Sequence, residues 1–266
     1  MRLLWPALLV LATSCGTAPA AVPLPEVKGA FGARPQVSMP GVRPGRLVRM
    51  AVLETGGGRP TAPGDVVLAD VEIRRWHDNA TRLSTYGTHR PIALVLDGRP
   101  LPRAWREAVV GRPAGSRVLL VGPAAQVLAP DLDAAGLPPG EPLVAVIDVL
   151  GGYPQDARLV GRPLPTPPPG LTPQAPARTL IGGSGDAVRA GAKVVVQYVA
   201  VAWPSRTLAD SSYRTGGPAA FTLTPDGVPS GWVEGLRGQR VGGRVAFGAP
   251  DAGLLYVVDI VDCVGC

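Results

Sequence analysis

The chain repeats itself, and that one property limits what it can fold into. Leu53, Gly56 and Gly58 recur as Leu180, Gly183 and Gly185, an offset of 127 residues. At the same offset Trp76 meets Trp203, Ser84 meets Ser211, Tyr86 meets Tyr213, Pro102 meets Pro229, and Trp105 meets Trp232. Gly111, Gly115, Arg117, Val118 and Pro123 then meet Gly238, Gly242, Arg244, Val245 and Pro250 without a gap. The whole sequence has only 5 tryptophans, so two matches at one spacing argue against coincidence. After Pro123 the first copy carries an extra stretch, Gln126 to Glu141. The match resumes with Leu143–Leu150 over Leu254–Val261, placing Asp148 on Asp259. The architecture is therefore one unit made twice, and each copy must bury its own core.

Within a copy the pattern is mostly strands. The alternating apolar run Val194 to Val201 predicts a half-buried strand. An Asp210-Ser211-Ser212 cluster follows, then a short strand at Ala220–Leu223. Gly231 to Leu236 predicts one or two helical turns carrying Trp232, and Val241-Gly242 turns into a strand ending at Pro250. With 35 glycines and 31 prolines in 266 residues, short strands and turns are favoured over long helices. The runs Thr55–Gly58 and Gly182–Gly185 invite a phosphate-loop reading, but no Lys-Ser/Thr follows and the flanks are strand-like, so they read as turns.

This order resembles the FKBP-type peptidyl-prolyl cis-trans isomerases. Their pattern is an aromatic-bearing strand, an acidic-Ser-Ser cluster, Val-Ile-x-Gly-Trp, a Gly-rich turn and a strand ending in Ile-Pro. The resemblance implies an α+β fold with two FKBP-like domains, 45–150 and 179–266, each an antiparallel sheet wrapped around one short helix. It also implies prolyl isomerase activity on proline-containing polypeptide clients, with no cofactor. Such chemistry breaks no covalent bond. It lowers a barrier of about 18–20 kcal/mol that comes from amide resonance, and a dry apolar pocket favours the less dipolar twisted amide.

Carried over position by position, the resemblance implies a site in the second copy. Trp232 matches the floor, Tyr198 the wall tyrosine and Asp210 the aspartate beside it. Phe221 and Tyr256 match apolar positions, and Val228 and Pro229 match the Val-Ile whose backbone holds ligands. Pro229 has no N–H to offer. Ala209 and Ala219 stand where the family has phenylalanines, and the loop before the last strand is cut to Asp251-Ala252-Gly253. The first copy keeps the long loop, Ala135 to Gly140, and the floor as Trp105 beside Leu101 and Leu94. It has Val71 for the tyrosine, Leu83 for the aspartate and Ala145 for the late aromatic. Against the isomerase stands a non-catalytic binding or chaperone protein on the same fold, in which Trp105 and Trp232 are plain core residues and Asp210 caps a turn.

The termini add location. Leu3 to Ala12 is too short to span a membrane, which takes roughly twenty residues, and fits a secretory signal. The small residues before Cys15 resemble a bacterial lipoprotein processing site, although Ala12 stands where Leu is usual. The expectation is a signal peptide over 1–15, lipidation of Cys15, a disordered tether over 16–44, and residence on the extracytoplasmic face of a membrane. A Pro-rich linker is expected over 151–178. Cys263 and Cys266 form an even pair, which outside a reducing compartment predicts a disulfide. A redox Cys-x-x-Cys is the rival reading, without a thioredoxin-like context. His77 and His89 have no ligand spacing, so no metal site is expected. The formal charge of +6 is scattered, with no basic stripe for nucleic acid.

Overall fold

The computed structural model describes residues 22–96, 101–128, 136–157 and 166–266. The expected signal peptide over 1–15, with Cys15, and residues 16–21 of the expected tether lie outside the described residues.

Two six-stranded antiparallel sheets follow the duplication. In the first lobe the strands are β3 (Arg49–Glu54), β4 (Asp65–Arg75), β5 (Thr81–Ser84), β6 (Ile92–Val95), β7 (Ser116–Pro123) and β8 (Pro142–Pro154), in the order β3-β7-β8-β4-β5 with β6 also on β4. In the second they are β9 (Arg178–Ile181), β10 (Lys193–Ala202), β11 (Leu208–Ser211), β12 (Ala219–Thr222), β13 (Arg244–Ala249) and β14 (Leu254–Val264), in the order β9-β13-β14-β10-β11 with β12 on β10. Strand for strand, the topologies are the same. The short helices are α1 (Thr85–Thr88), α2 (Arg103–Val109), α3 (Ala124–Val127), α4 (Ser212–Thr215) and α5 (Trp232–Leu236). Helices α2 and α5 present Trp105 and Trp232 to their sheets, as the α+β expectation required. The glycine turns are turns: a Cβ on Gly56 would sit 2.0 Å from the Ala114 carbonyl oxygen, and one on Gly183 2.4 Å from those of Arg240 and Val241.

Each sheet buries a charged group at a repeated position. Arg117 clamps Asp148 (Nε–Oδ1 2.6 Å, Nη2–Oδ2 2.7 Å), and the Tyr86 hydroxyl donates to Asp148 Oδ2 at 2.8 Å. Arg244, Asp259 and Tyr213 do the same, at 2.5, 2.8 and 2.8 Å. A buried carboxylate is tolerable only when paired and hydrogen-bonded in this way.

The expected tether is corrected by the structure. Residues 22–44 include a hairpin, β1 (Glu26–Lys28) with β2 (Gln36–Ser38), that covers the outer face of the first sheet. Val37 is buried there against Leu119, Val121, Val144 and Val146, with Leu24, Val27 and Met39 beside it. The turn donates its Gly32 N–H to Asp148 Oδ2 at 2.7 Å, and its carbonyls of Gly29, Ala30 and Ala33 accept from Arg117. Arg34 forks onto buried Glu72 at 3.0 and 3.1 Å. The carboxyl of Glu72 is pushed up by burial, but Arg34, Ser84 and Arg74 outweigh that and hold it below its ordinary value. An apolar sheet face needs a cover, and this arm supplies one.

The linker is also more ordered than a spacer. Strand β8 continues to Pro154, and Leu171 is fully buried on the outer face of the second sheet with Ala246, Leu255 and Val257. The lobes share a small core of Val66, Leu68 and Leu150 against Val195 and Ala220. Its polar rim includes Tyr153 Oη to Asp262 Oδ2 at 2.7 Å and Lys193 Nζ to Asp70 Oδ2 at 3.3 Å.

Candidate functional site

In the second lobe the strands bring five aromatic rings together. Tyr198 comes from β10, Phe221 from β12, Phe247 from β13 and Tyr256 from β14, all turned to the face that α5 crosses. Around the Trp232 ring, centroids lie at 5.1 Å (Phe221), 5.2 Å (Tyr256), 5.7 Å (Tyr198) and 5.8 Å (Phe247). Three of these contacts are edge-on, the arrangement aromatic quadrupoles prefer. The helix approaches closely because Gly235 has no side chain: a Cβ there would lie 2.6 Å from the Phe247 ring.

At the rim the Tyr198 hydroxyl donates to Asp210 Oδ2 at 2.6 Å, and Asp210 Oδ1 accepts the Ser211 N–H at 2.7 Å. Asp210 thus bonds its own neighbour's backbone and orients the tyrosine, while α4 itself has no side-chain cap. Burial, then the Asp210 hydrogen bond and charge, push the Tyr198 hydroxyl above its ordinary value, so it stays a donor. Burial also raises Tyr256. Buried Gln197 accepts from Ser212 Oγ at 2.5 Å, and that same oxygen accepts the Tyr198 N–H at 2.8 Å. Sequence reasoning passed over Gln197; its place inside a valine run was the available signal. Phe247 was missed as well, although it alternates correctly on its strand.

Tyr198, Asp210, Phe221, Trp232 and Tyr256 are brought together as expected, with Val228 buried in the same cluster and Pro229 half-buried just before α5. The indole, however, is only 1% exposed, covered by the other rings. The accessible aromatic surface belongs to the half-buried Tyr198 and Phe221, 6.4 Å apart. Among the described residues the buried Trp232 Nε1–H makes no hydrogen bond of normal geometry, and it acts on the Tyr256 hydroxyl only through a weaker contact.

The first lobe corrects the expectation that Trp105 and Leu101 bind substrate. Trp105 is fully buried, and its Nε1–H donates to the Val127 carbonyl at 2.6 Å. That carbonyl ends α3, whose last two residues open the inserted stretch; in the second lobe the 3₁₀ turn Pro250–Ala252 stands there instead. Val71, Leu94 and Ala145 fill the space around Trp105, and Leu83, Leu101 and Leu137 pack against it. It is a closed aliphatic core. Cys263 and Cys266 are joined as a disulfide and pack on the core of the second lobe.

The fold and this aromatic cluster define a class: an antiparallel sheet crossed by a short helix that seats a tryptophan among aromatic rings. The family model for FKBP-type peptidyl-prolyl cis-trans isomerases matches residues 185–252, the stretch holding Tyr198, Asp210, Phe221 and Trp232. An FK506-binding protein of Streptomyces anulatus is 35% identical over 96 residues, which cover 30% of this chain and 77% of that protein. A probable FK506-binding protein of Corynebacterium glutamicum is 32% identical over 97 residues, covering 31% and 80%. The crystal structure of FkpA from Escherichia coli matches with a TM-score of 0.33 and 25% identity, over 40% of this chain and 48% of that one. The chain belongs to the FKBP-type peptidyl-prolyl cis-trans isomerase family.

Proposed function

We propose that the second FKBP-like domain binds prolyl segments of polypeptides and catalyses their cis-trans isomerisation, while the first domain is a non-catalytic copy. The observation that carries this is the ring cluster around Trp232 with the Tyr198–Asp210 pair at its lip, which the first domain lacks. A proline ring entering between Tyr198 and Phe221 meets only aromatic surface, and the prolyl amide leaves water as it does. Loss of water favours the twisted amide over the planar one. The Tyr198 hydroxyl stays protonated and gives its one hydrogen to Asp210, so it donates to a substrate carbonyl at the lip only by releasing that carboxylate. No nucleophile is required.

A protease-coupled assay on a proline peptide tests this. Trp232→Leu is expected to lower kcat/KM about tenfold or more, a loss of about 1.4 kcal/mol of transition-state stabilisation. Trp105→Leu, if it folds, should keep most of the activity. A wild-type rate no faster than that of Trp232→Leu would remove catalysis. The second reading, binding without isomerisation, is favoured by the 1% exposure of Trp232 and by Ala209 and Ala219. Peptide binding that depends on Trp232 without any rate gain would select it.

We also propose that the chain is exported and anchored by lipid on Cys15, with proline-containing clients at the cell envelope. The apolar run Leu3–Ala12 and the small residues before Cys15 support this, as does a disulfide of the kind that persists outside the reducing cytosol. Membrane fractionation tests it: Cys15→Ser should release the protein, and an unchanged membrane fraction would refute the anchor.

A further inference from the structure

The duplication shows what a groove in the second domain lacks. In each copy a groove runs between the short helix, α2 or α5, and the chain around the start of the edge strand, β3 or β9. Arg103, Ala104, Glu107 and Leu120 line the first groove. Their counterparts 127 positions on, Ser230, Gly231, Glu234 and Phe247, line the second. In the first copy the chain supplies its own cation: Arg103 Nε lies 2.6 Å from Glu107 Oε1, one helical turn away. In the second, Ser230 replaces that arginine while Glu234 keeps the carboxylate. The cavity grows from about 330 Å³ to about 480 Å³.

Nothing in the second groove replaces the lost charge. A second carboxylate, Asp251 on the 3₁₀ turn, joins Glu234 there, and no Lys, Arg or His lines the groove. Among the described residues neither carboxylate has an ion-pair partner. The nearest arginines in sequence, Arg178 and Arg237, are exposed and do not line it. Ser230 Oγ is buried without a hydrogen-bond partner among the described residues. Buried Phe247 and Pro173 lie below, and exposed Glu234 and Asp251 stand above. An apolar floor under an acidic mouth is the complement of a basic side chain, which has an apolar stem and a cationic end.

We propose that this groove is a subsite for a basic side chain, an arginine or lysine of a bound polypeptide, with Glu234 and Asp251 as its counter-charges. The proposal rests on the reading of this domain as a binder of polypeptide segments. Groove and ring cluster lie on two flanks of one helix, and none of Tyr198, Phe221 and Tyr256 lines the groove. A helix with its side chains is about 10–12 Å across, a span of about three or four extended residues. The selected clients therefore carry a basic residue at about that distance from the proline. The first copy makes no such selection, because Arg103 already occupies the mouth of its groove.

The test uses the full-length chain and fluorescein-labelled peptides with one proline and, about four positions from it on either side, Arg, Gln or Glu, followed by anisotropy at low salt. Wild type should bind the Arg peptide about two- to fivefold more tightly than the Gln peptide, the range for an exposed ion pair, and the Glu peptide less tightly than either. Glu234→Gln combined with Asp251→Asn should bring the Arg-to-Gln ratio to one. So should Ser230→Arg, which gives the second helix the pair of the first and fills the groove from within. Added salt should erase the wild-type preference, because exposed charges are screened. Equal binding of the Arg and Gln peptides by wild type, or a ratio unchanged in the double variant, with binding still lost in Trp232→Leu, would overturn this proposal alone. A ratio that collapses in the double variant while Trp232→Leu binds normally would uphold the groove and remove the prolyl site from the ring cluster. No binding of any peptide would overturn both.

Discussion

Trp105 and Trp232 occupy one position in two copies of one fold, yet their surroundings diverge. The first indole is enclosed by aliphatic side chains and gives its N–H to Val127; the second is ringed by four aromatics and has at most a weak contact with the Tyr256 hydroxyl. Duplication kept the backbone, the helix and the buried Arg-Asp-Tyr cluster in both. The difference lies in what borders the tryptophan. Helix α3, which runs into the inserted stretch, satisfies one indole, while the 3₁₀ turn in its place leaves the other without a hydrogen bond of normal geometry. The first domain reads as a completed core. The second keeps the unmet polar atom and the partly exposed rings expected of a site.

The largest test of that contrast removes the shared cluster. Asp148→Ala and Asp259→Ala each remove the carboxylate that neutralises a buried arginine and should cost about 3–5 kcal/mol in urea denaturation. Asp148→Ala should cost more, because Arg117 and Asp148 also hold the arm. Equal losses would mean that the arm is held by its apolar contacts alone.

A smaller effect separates the two indoles. Trp105→Phe orphans the buried Val127 carbonyl and should destabilise by about 1–3 kcal/mol more than Trp232→Phe, which loses only a weak contact with the Tyr256 hydroxyl. If the two cost the same, the second indole is bonded after all and the contrast fails.

Smaller again is an acid-pH effect confined to the first domain. The Glu72 carboxyl is lowered in the folded protein, so it stabilises the fold above its unfolded value near 4.5, and that contribution fades as the pH falls below it. Wild type should exceed Glu72→Gln by about 1 kcal/mol at neutral pH, a modest figure because Arg34 is half exposed. The gap should close in acid. A constant difference across that range would show that Arg34 does not stabilise the carboxylate. Least of all, Arg103→Ala removes an exposed pair with Glu107 that the second helix lacks, and the melting midpoint should not move measurably.

The site was legible in part. Tyr198, Asp210, Phe221, Trp232 and Tyr256 were legible through the resemblance to the family, which carries over position by position along the chain. That the indole would be covered to 1% was not legible, because closure depends on how rings from four strands and a helix interlock. The arm was misjudged for a similar reason. Residues 22–44 have little periodicity of their own and become ordered only by covering a sheet formed by residues further along the chain.

By itself the sequence determined the duplication, the order of strands and helix in each copy, and the positions of both tryptophans. Those are written in apolar alternation and in rare residues recurring at one offset, signals that need no knowledge of distant contacts. Only the tertiary structure decided which indole is satisfied, where the arm docks, and that His89 meets Thr222 and Asp226, more than a hundred positions later. Such choices are made by packing and charge between segments remote in the chain, and no local pattern records them.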